Sequence, residues 1–196
     1  MPAESCPPSP DGLRIEPARL QDADLLCTLI RELAEFEQLS EECNVTPEAL
    51  REHLLGDGRS AEAVIAWMGT QAAGFAVYYK TFSTFVAKPG IYLEDLFVRK
   101  SFRRQGIGRA LLREVGRIAH HANAGRYEWT TLTWNQNARR LYASIGAHEM
   151  RDWMLLRMEA DDLASFACDG KGHAKDGTHE GCHCGGKGRH HAQQGC

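Results

Sequence analysis

No apolar run in this sequence is long enough to cross a bilayer, and the first residues, MPAESCPPSPDG, lack the basic and apolar segments of a signal peptide. Positive charge is not in excess either, because 23 Lys and Arg residues are set against 26 Asp and Glu residues and the net charge is −3. Nucleic acids and membrane surfaces are therefore disfavoured as partners. We expect a cytoplasmic protein.

The seven cysteines lack the spacing of a small disulfide scaffold, so we expect free thiols. The end of the chain has a further deficit: residues 168–196 contain no Leu, Ile, Val, Phe, Tyr or Trp. Such a composition buries too little apolar surface to offset the entropy of ordering the chain. We predict a disordered arm at residues 1–12, one domain at 13–160 and a disordered Gly/His/Cys-rich tail at 161–196.

The tail is rich in imidazole and thiolate groups, which suit Zn, Ni or Cu. Cys182, His183 and Cys184 are its densest group, yet Cys-x-Cys is not the usual zinc spacing and no second pair lies at finger distance. A defined structural site is therefore not predicted. Loose binding of a transition metal and an extension without a metal are the two alternatives.

Hydrophobic periodicity predicts the element order β-α-α-β-β-β-α-β-α-β. The predicted helices run from Leu25 to Phe36, from Pro47 to Leu55 with Thr46 as the cap, over 106–124, and from Asn135 to about 145. The strands begin at Ile15 and cover 63–68, 72–81, 91–98, 128–133 and 152–158, with a loop at 82–90. Strands in succession predict antiparallel neighbours, and strands joined through helices predict parallel ones. The expected fold class is α/β (α+β), a mixed, partly antiparallel central sheet with helices on both faces.

The stretch from Ile91 to Leu112 combines an acid pair with a glycine-containing loop. Glu94 and Asp95 interrupt an apolar strand, and alternation predicts that they point to opposite faces unless a bulge intervenes. The loop that follows reads RRQGIGR, residues 103–109. Its glycines let the backbone approach a ligand, and the next helix adds the positive end of its dipole. This combination predicts a cradle for a pyrophosphate.

These segments, in this order, resemble the GNAT superfamily of N-acetyltransferases, and within it the spermidine/spermine and thialysine branch. The resemblance covers residues 13–160 and is carried by IRELAEFE at 30–37, YLED at 92–95, GIG at 106–108 and Trp134-Asn135. It implies acetyl-CoA as the donor and a small primary amine as the acceptor, which would be a diamine, a polyamine or a thialysine-like compound. It also implies a homodimer.

The resemblance further implies individual roles. Glu94 would be the general base, acting through water, and Tyr142 the general acid; a structural acid and a core tyrosine are the alternatives. The acceptor would be contacted by Phe36, Glu37, Phe85 and Asp95. Alternatively, Phe36 and Glu37 form a solvated helix end and Phe85 is a loop anchor. The cofactor would be bound by Phe97, Val98, Arg103, Arg104, Gln105, Gly106, Ile107, Gly108, Arg109 and Asn135.

Several of these residues have simpler interpretations. One of the two loop arginines can be a solvated side chain, and Asn135 can cap the following helix while Trp134 packs in the core. The strand near Leu132 and Thr133 is implied to splay from its neighbour and admit the pantetheine arm.

Acetyl transfer to an amine sets three chemical requirements. The amine must lose a proton, because an alkylammonium with a pKa of about 10.4 has no lone pair. The carbonyl oxygen needs stabilisation, and the departing thiolate gains from a general acid. The remaining function classes are a protein or amino-acid N-acetyltransferase, a metal-handling protein that uses the tail, and an acyl-CoA-binding module without turnover.

Overall fold

The computed structural model describes residues 10–167, and these residues contain five strands and five α-helices. The strands are Leu13–Pro17 (β1), Glu62–Met68 (β2), Gln71–Ser83 (β3), Lys88–Val98 (β4) and Arg126–Trp129 (β5). The helices are Ala23–Glu37 (α1), Pro47–His53 (α2), Ile107–His121 (α3), Gln136–Ser144 (α4) and Ala160–Ala167 (α5). Contacts between residues divide the chain into two compact units, Met1–His148 and Glu149–Cys196.

The first unit is built on one sheet with the strand order β1-β2-β3-β4-β5. Neighbours from β1 to β4 are antiparallel, and β4 pairs with β5 in parallel, which confirms the mixed sheet. One expectation was wrong: β1 and β2 are joined through helices but are antiparallel. Two successive helices, α1 and α2, return the chain to the end of the sheet that it left, whereas a single helix would deliver it to the opposite end.

Helices cover both faces of this sheet, as predicted. Side chains of α1 and α2 pack with Phe75, Val77 and Phe97 on one face, and α3 packs with Ile91 and Leu93 on the other. Leu26 and Leu111, from the two layers, are completely buried. Burying each such side chain contributes about 1.5–3 kcal/mol relative to leaving it in water.

Local capping signals predicted the helix starts well. The hydroxyl of Thr46 accepts a hydrogen bond from the Ala49 N–H at 3.2 Å, and Pro47 occupies the first helical position. The side-chain oxygen of Asn135 likewise accepts from the Ala138 N–H at 3.2 Å and caps α4.

The segment 82–90 is not the predicted loop. Strand β3 extends to Ser83 and β4 already begins at Lys88, because Phe82 pairs with Pro89 and Thr81 with Gly90. Only residues 84–87 form the turn. Strand β5 is shorter than predicted and ends at Trp129, since the pairing with β4 stops at Leu93.

The second unit contains no strand within its described residues, 149–167, so the predicted strand at 152–158 is wrong. This part of the chain offers it no partner strand, and its apolar run does not alternate. Trp153, Met154, Leu155 and Leu156 are each at least 69% exposed. Helix α5 covers 161–167, the first residues of the predicted tail, while residues 1–9 of the predicted arm and 168–196 of the tail lie outside the described residues.

No helix within residues 10–167 combines the length and the apolar character needed to cross a bilayer.

Candidate functional site

A β-bulge at Glu94 shapes the centre of the candidate site. Val77 of β3 lies opposite Asp95, and the next residue of β3, Tyr78, lies opposite Leu93, so Glu94 has no cross-strand partner. The alternation of β4 restarts here, because Leu93 and Leu96 both pack on the α3 face. Glu94 and Asp95 are therefore consecutive residues directed away from that face. The bulge is the stated exception to alternation, and it removes the separation onto opposite faces.

The bulge leaves its two carboxylates in different surroundings. Glu94 is exposed, whereas Asp95 is half-buried and lines a pocket of about 190 Å³. Burial raises the pKa of the Asp95 carboxyl to about 7, and repulsion from Glu94 and Glu37 adds to the effect. The other residues that line the pocket are Ile30, Leu33, Ala34, Glu37, Leu39, Glu42 and Cys43.

Glu37, the last residue of α1, connects the acid pocket with α4. Burial raises the pKa of its own carboxyl. Its charge raises the pKa of Asp95 and also that of Tyr142, for which burial is the larger cause and a hydrogen bond with Thr131 acts in the opposite direction. Asp95 therefore lies within electrostatic reach of Glu94 and Glu37, and Tyr142 within that of Glu37, as a site for proton transfer requires.

Tyr142 is held in a row of aromatic rings on β5 and α4. The Tyr142 ring meets Trp129 edge-on with centroids 5.1 Å apart, and Trp129 lies 4.8 Å from Tyr127. A phenol with a raised pKa stays protonated at neutral pH, which is the state that a general acid needs.

The loop before α3 has the backbone geometry of an anion cradle. Arg104 (φ 66°) and Gly106 (φ 83°) both adopt the left-handed conformation, and α3 begins directly afterwards. The N–H groups of residues 104–109 have no acceptor anywhere in the described part of the chain. Unpaired N–H groups at a helix start favour a phosphate.

Arg103 does not extend towards a phosphate from this loop. Its guanidinium carbon lies 4.4 Å from the centroid of the Phe36 ring and 5.7 Å from that of Phe97. Its Nε donates a hydrogen bond to the Val98 carbonyl at 2.8 Å. The aromatic faces and this carbonyl hold the guanidinium inside the fold. Arg109 instead donates to the Ser144 hydroxyl at 2.7 Å, a contact that joins α3 to α4.

One edge of β4 is open beyond Leu93, where the pairing with β5 ends. The Arg99 N–H donates to the Ala73 carbonyl of β3 at 2.9 Å, so residues 97 and 99 direct their main-chain groups towards β3. Those of Leu96 and Val98 point to the open edge. The main-chain groups of Phe97 therefore face β3 and are not available to pair with a ligand at the open edge. Those of Leu96, which was not among the predicted residues, are available.

The structure does not bring every predicted residue to the site. Phe85 is 95% exposed in the β3–β4 turn and is not part of the pocket lining. Phe36 is at the site, with its ring centroid 5.7 Å from that of Trp134, which is half exposed and not a core residue. Asn135 caps α4. The predicted metal-binding residues Cys182, His183 and Cys184 lie outside the described residues.

Sequence reasoning missed Glu42 and Cys43. The chain reverses direction at Gln38, which has a φ of 64°, and the following residues fold back against the end of α1. Gln38 is neither Gly nor Asn, the residues typical of a left-handed helix end, so the sequence carries no clear signal of this return. No group of three or more His, Cys, Asp or Glu side chains within residues 10–167 is arranged to hold a metal ion.

Comparison with known proteins agrees with this geometry. The sequence profile of the acetyltransferase (GNAT) family matches residues 28–147. Thialysine N-epsilon-acetyltransferase from Mus musculus is 31% identical over 165 residues, which are 79% of this chain and 96% of the mouse protein. The Caenorhabditis elegans protein of the same name is 32% identical over 148 residues, 74% of this chain and 91% of that protein.

A solved structure supports the fold. An integron cassette protein from the mobile metagenome of V. cholerae superposes with a TM-score of 0.70 at 25% identity, covering 80% of this chain and 98% of the other.

Proposed function

Because the chain belongs to the acetyltransferase (GNAT) family and is an N-acetyltransferase, we propose that it acetylates a small primary amine: a diamine, a polyamine or a thialysine-like compound. The observation that carries this proposal is the acidic pocket beside the bulge of β4. Its carboxylates attract a cationic acceptor, and its aliphatic wall accommodates a methylene chain. Two relatives that this chain matches over more than nine-tenths of their length carry thialysine acetyltransferase names, which supports the same class of acceptor.

The donor of this family is acetyl-CoA, which supplies an acetyl group activated as a thioester when it is bound. The residues present fit such a ligand. The unpaired N–H groups of 104–109 at the start of α3 would bind the pyrophosphate, and the open edge at Leu96 and Val98 would bind the amides of the pantetheine arm. Arg103 would orient the Val98 carbonyl at this edge.

Glu94 and Tyr142 divide the proton transfers in this proposal. Glu94 is exposed at the bulge and takes a proton from the acceptor ammonium through a water molecule. Tyr142 is protonated at neutral pH and gives its proton to the departing thiolate. Glu37 and Asp95 bind the positive charge of the acceptor in the pocket between them.

We extend the proposal to a homodimer. Phe82, Phe85 and Val86 are between 50% and 95% exposed at the end of the β3–β4 hairpin. Three apolar side chains at one exposed hairpin end form a surface that a second copy can cover. Light scattering across a dilution series tests this part, with a single-chain mass contradicting it.

An acceptor screen with CoA release as the readout tests the proposed reaction. Diamines, polyamines and thialysine are compared with amino acids and with peptides that carry a free N-terminus, at equal concentration. We expect turnover with the first group, weakened by added salt because the acceptor is bound by charge. Turnover confined to peptides or single amino acids would replace the proposed acceptor class with the alternative one.

A further inference from the structure

Asp95 combines features that acceptor binding alone does not need. It directly follows the exposed bulge residue Glu94 in β4 and lies opposite Val77 of β3. It has no hydrogen bond or ion pair with any other described residue. A half-buried carboxylate without a donor is costly when ionised, so its protonation state responds to what enters the pocket.

Among residues 10–167, the groups that face Asp95 add negative charge and no positive charge. Glu94 precedes it in β4, Glu37 approaches from α1, and Glu42 and Cys43 come from the segment after that helix. No Lys or Arg is among the residues that line the pocket. Carboxylates that repel one another cannot all remain ionised at low cost, and the most buried one takes up a proton most readily.

We propose that Asp95 is the proton store of the acetyl transfer and receives, through Glu94, the proton that the acceptor ammonium gives up. The inference rests on the proposed function. The N–H bond of the ammonium breaks, its electron pair stays on nitrogen, and the proton passes through water and Glu94 to an oxygen of Asp95. An ammonium and a carboxylate become a neutral amine and a neutral carboxylic acid, so charge is conserved. Glu94, which is exposed, then returns the proton to solvent.

The bulge explains why two adjacent acids take different parts. In a regular strand Glu94 and Asp95 would lie on opposite faces and could not exchange a proton. Here both lie away from the α3 face, one in water and one in the pocket. A store with a pKa of about 7 also matches a neutral working pH, where it can both accept and release a proton.

The dependence of kcat on pH, measured at saturating acceptor, tests the proposal, because saturation removes the effect of Asp95 on acceptor binding. One acceptor is used in every variant, so that the ionisation of the amine contributes equally to every profile. In wild type we expect the rate to fall as the pH drops below about 7, because a protonated Asp95 cannot accept. Glu37→Gln should move this fall to lower pH, since one neighbouring charge is gone. Glu94→Gln should lower kcat about 10²-fold but retain the fall in rate below about pH 7. Asp95→Asn should abolish that fall.

Asp57→Asn is the matched control, because Asp57 is an exposed turn residue outside the site and should leave the profile unchanged. A fall that survives in Asp95→Asn and disappears in Glu94→Gln would overturn the proposal and leave Glu94 as the sole base.

A titration without turnover separates this inference from the proposed function. Carbon-13 NMR of labelled aspartate carboxyls, with the Asp95 signal assigned by its loss in Asp95→Asn, should show a carboxyl that titrates near pH 7. Titration of Asp95 in the ordinary carboxylate range would overturn the proton store even if amines are acetylated. If no amine is acetylated the proposed function fails, and with it the transfer step that the store serves.

Discussion

Replacing Gly106 by alanine should damage the loop before α3 in a way that the same change elsewhere in the helix does not. Gly106 has a φ of 83°, and a Cβ built there would meet only Pro10 at 3.7 Å, so space is not the problem. The left-handed backbone itself costs an L-residue about 1–2 kcal/mol. Alanine recovers about 0.4–1 kcal/mol by restricting the unfolded chain. We expect a net loss of about 1 kcal/mol, or a fall in Tm of about 2–4 °C for a chain of this size.

Gly116→Ala is the matched control on the same helix. Gly116 lies inside α3 with no positive φ, and an added Cβ would approach Tyr127 at an ordinary 3.9 Å. Alanine is a better helix former than glycine by about 0.5–1 kcal/mol, so this variant should be more stable than wild type. The two substitutions should therefore shift the urea midpoint in opposite directions.

Donor binding separates the two variants further. If the Gly106→Ala loop relaxes to a negative φ, at least one N–H group turns away from the pyrophosphate. One such hydrogen bond to a charged group contributes about 1.5 kcal/mol, which corresponds to roughly tenfold in Kd. Calorimetric titration with acetyl-CoA should show this loss in Gly106→Ala and not in Gly116→Ala, and Gly106→Asn should fall between them because Asn tolerates this conformation. Equal stability and equal affinity of Gly106→Ala and wild type would refute the assigned role of the loop.

Four further outcomes are expected. Tyr142→Phe keeps the ring contact with Trp129 but loses the proton donor, so kcat should fall about 10²-fold or more with little change in Tm; an unchanged kcat would remove Tyr142 from the chemistry. Thr46→Ala deletes the cap of α2 and should lower the free energy of unfolding by about 1 kcal/mol in urea, whereas no change would show that the cap is dispensable. The raised pKa of Asp95 in the folded state means that wild type loses stability as the pH rises from about 4 through 7. Asp95→Asn lacks this loss and should gain stability relative to wild type over the same range. A difference between the two urea midpoints that stays constant with pH would contradict this expectation. Removing residues 168–196 should leave CoA release intact, and bound metal that persists in the truncated protein, measured by elemental analysis, would exclude the tail as its binding site.

The site was only partly accessible from the sequence. The glycine loop and the acid pair were found because each is a contiguous motif whose backbone chemistry is local. The packing of Arg103 was not predicted, because its contact with Phe36 joins residues that are far apart in the chain. Phe85 was misplaced for a related reason: the hairpin is longer than its residues indicate, and this carries the ring away from the pocket.

The strand at 152–158, which was predicted but is not formed, also depended on information that lies outside the segment itself. Its apolar residues satisfy a strand propensity, but a strand also needs a neighbour that pairs with its backbone. No propensity scale contains that information, and the described residues 149–167 include no such neighbour.

The sequence by itself determined what depends on neighbours a few residues away. The starts of α2 and α4, the glycine loop before α3 and the apolar stripes of the helices all follow from residues within one or two turns. Tertiary structure alone decided the register of β4 on β3, and with it the bulge at Glu94. Register is set by which of two faces buries its side chains against α1 and α3, and a shift of one residue changes the face of every residue beyond it. That shift is what sets Glu94 in water and Asp95 in the acidic pocket.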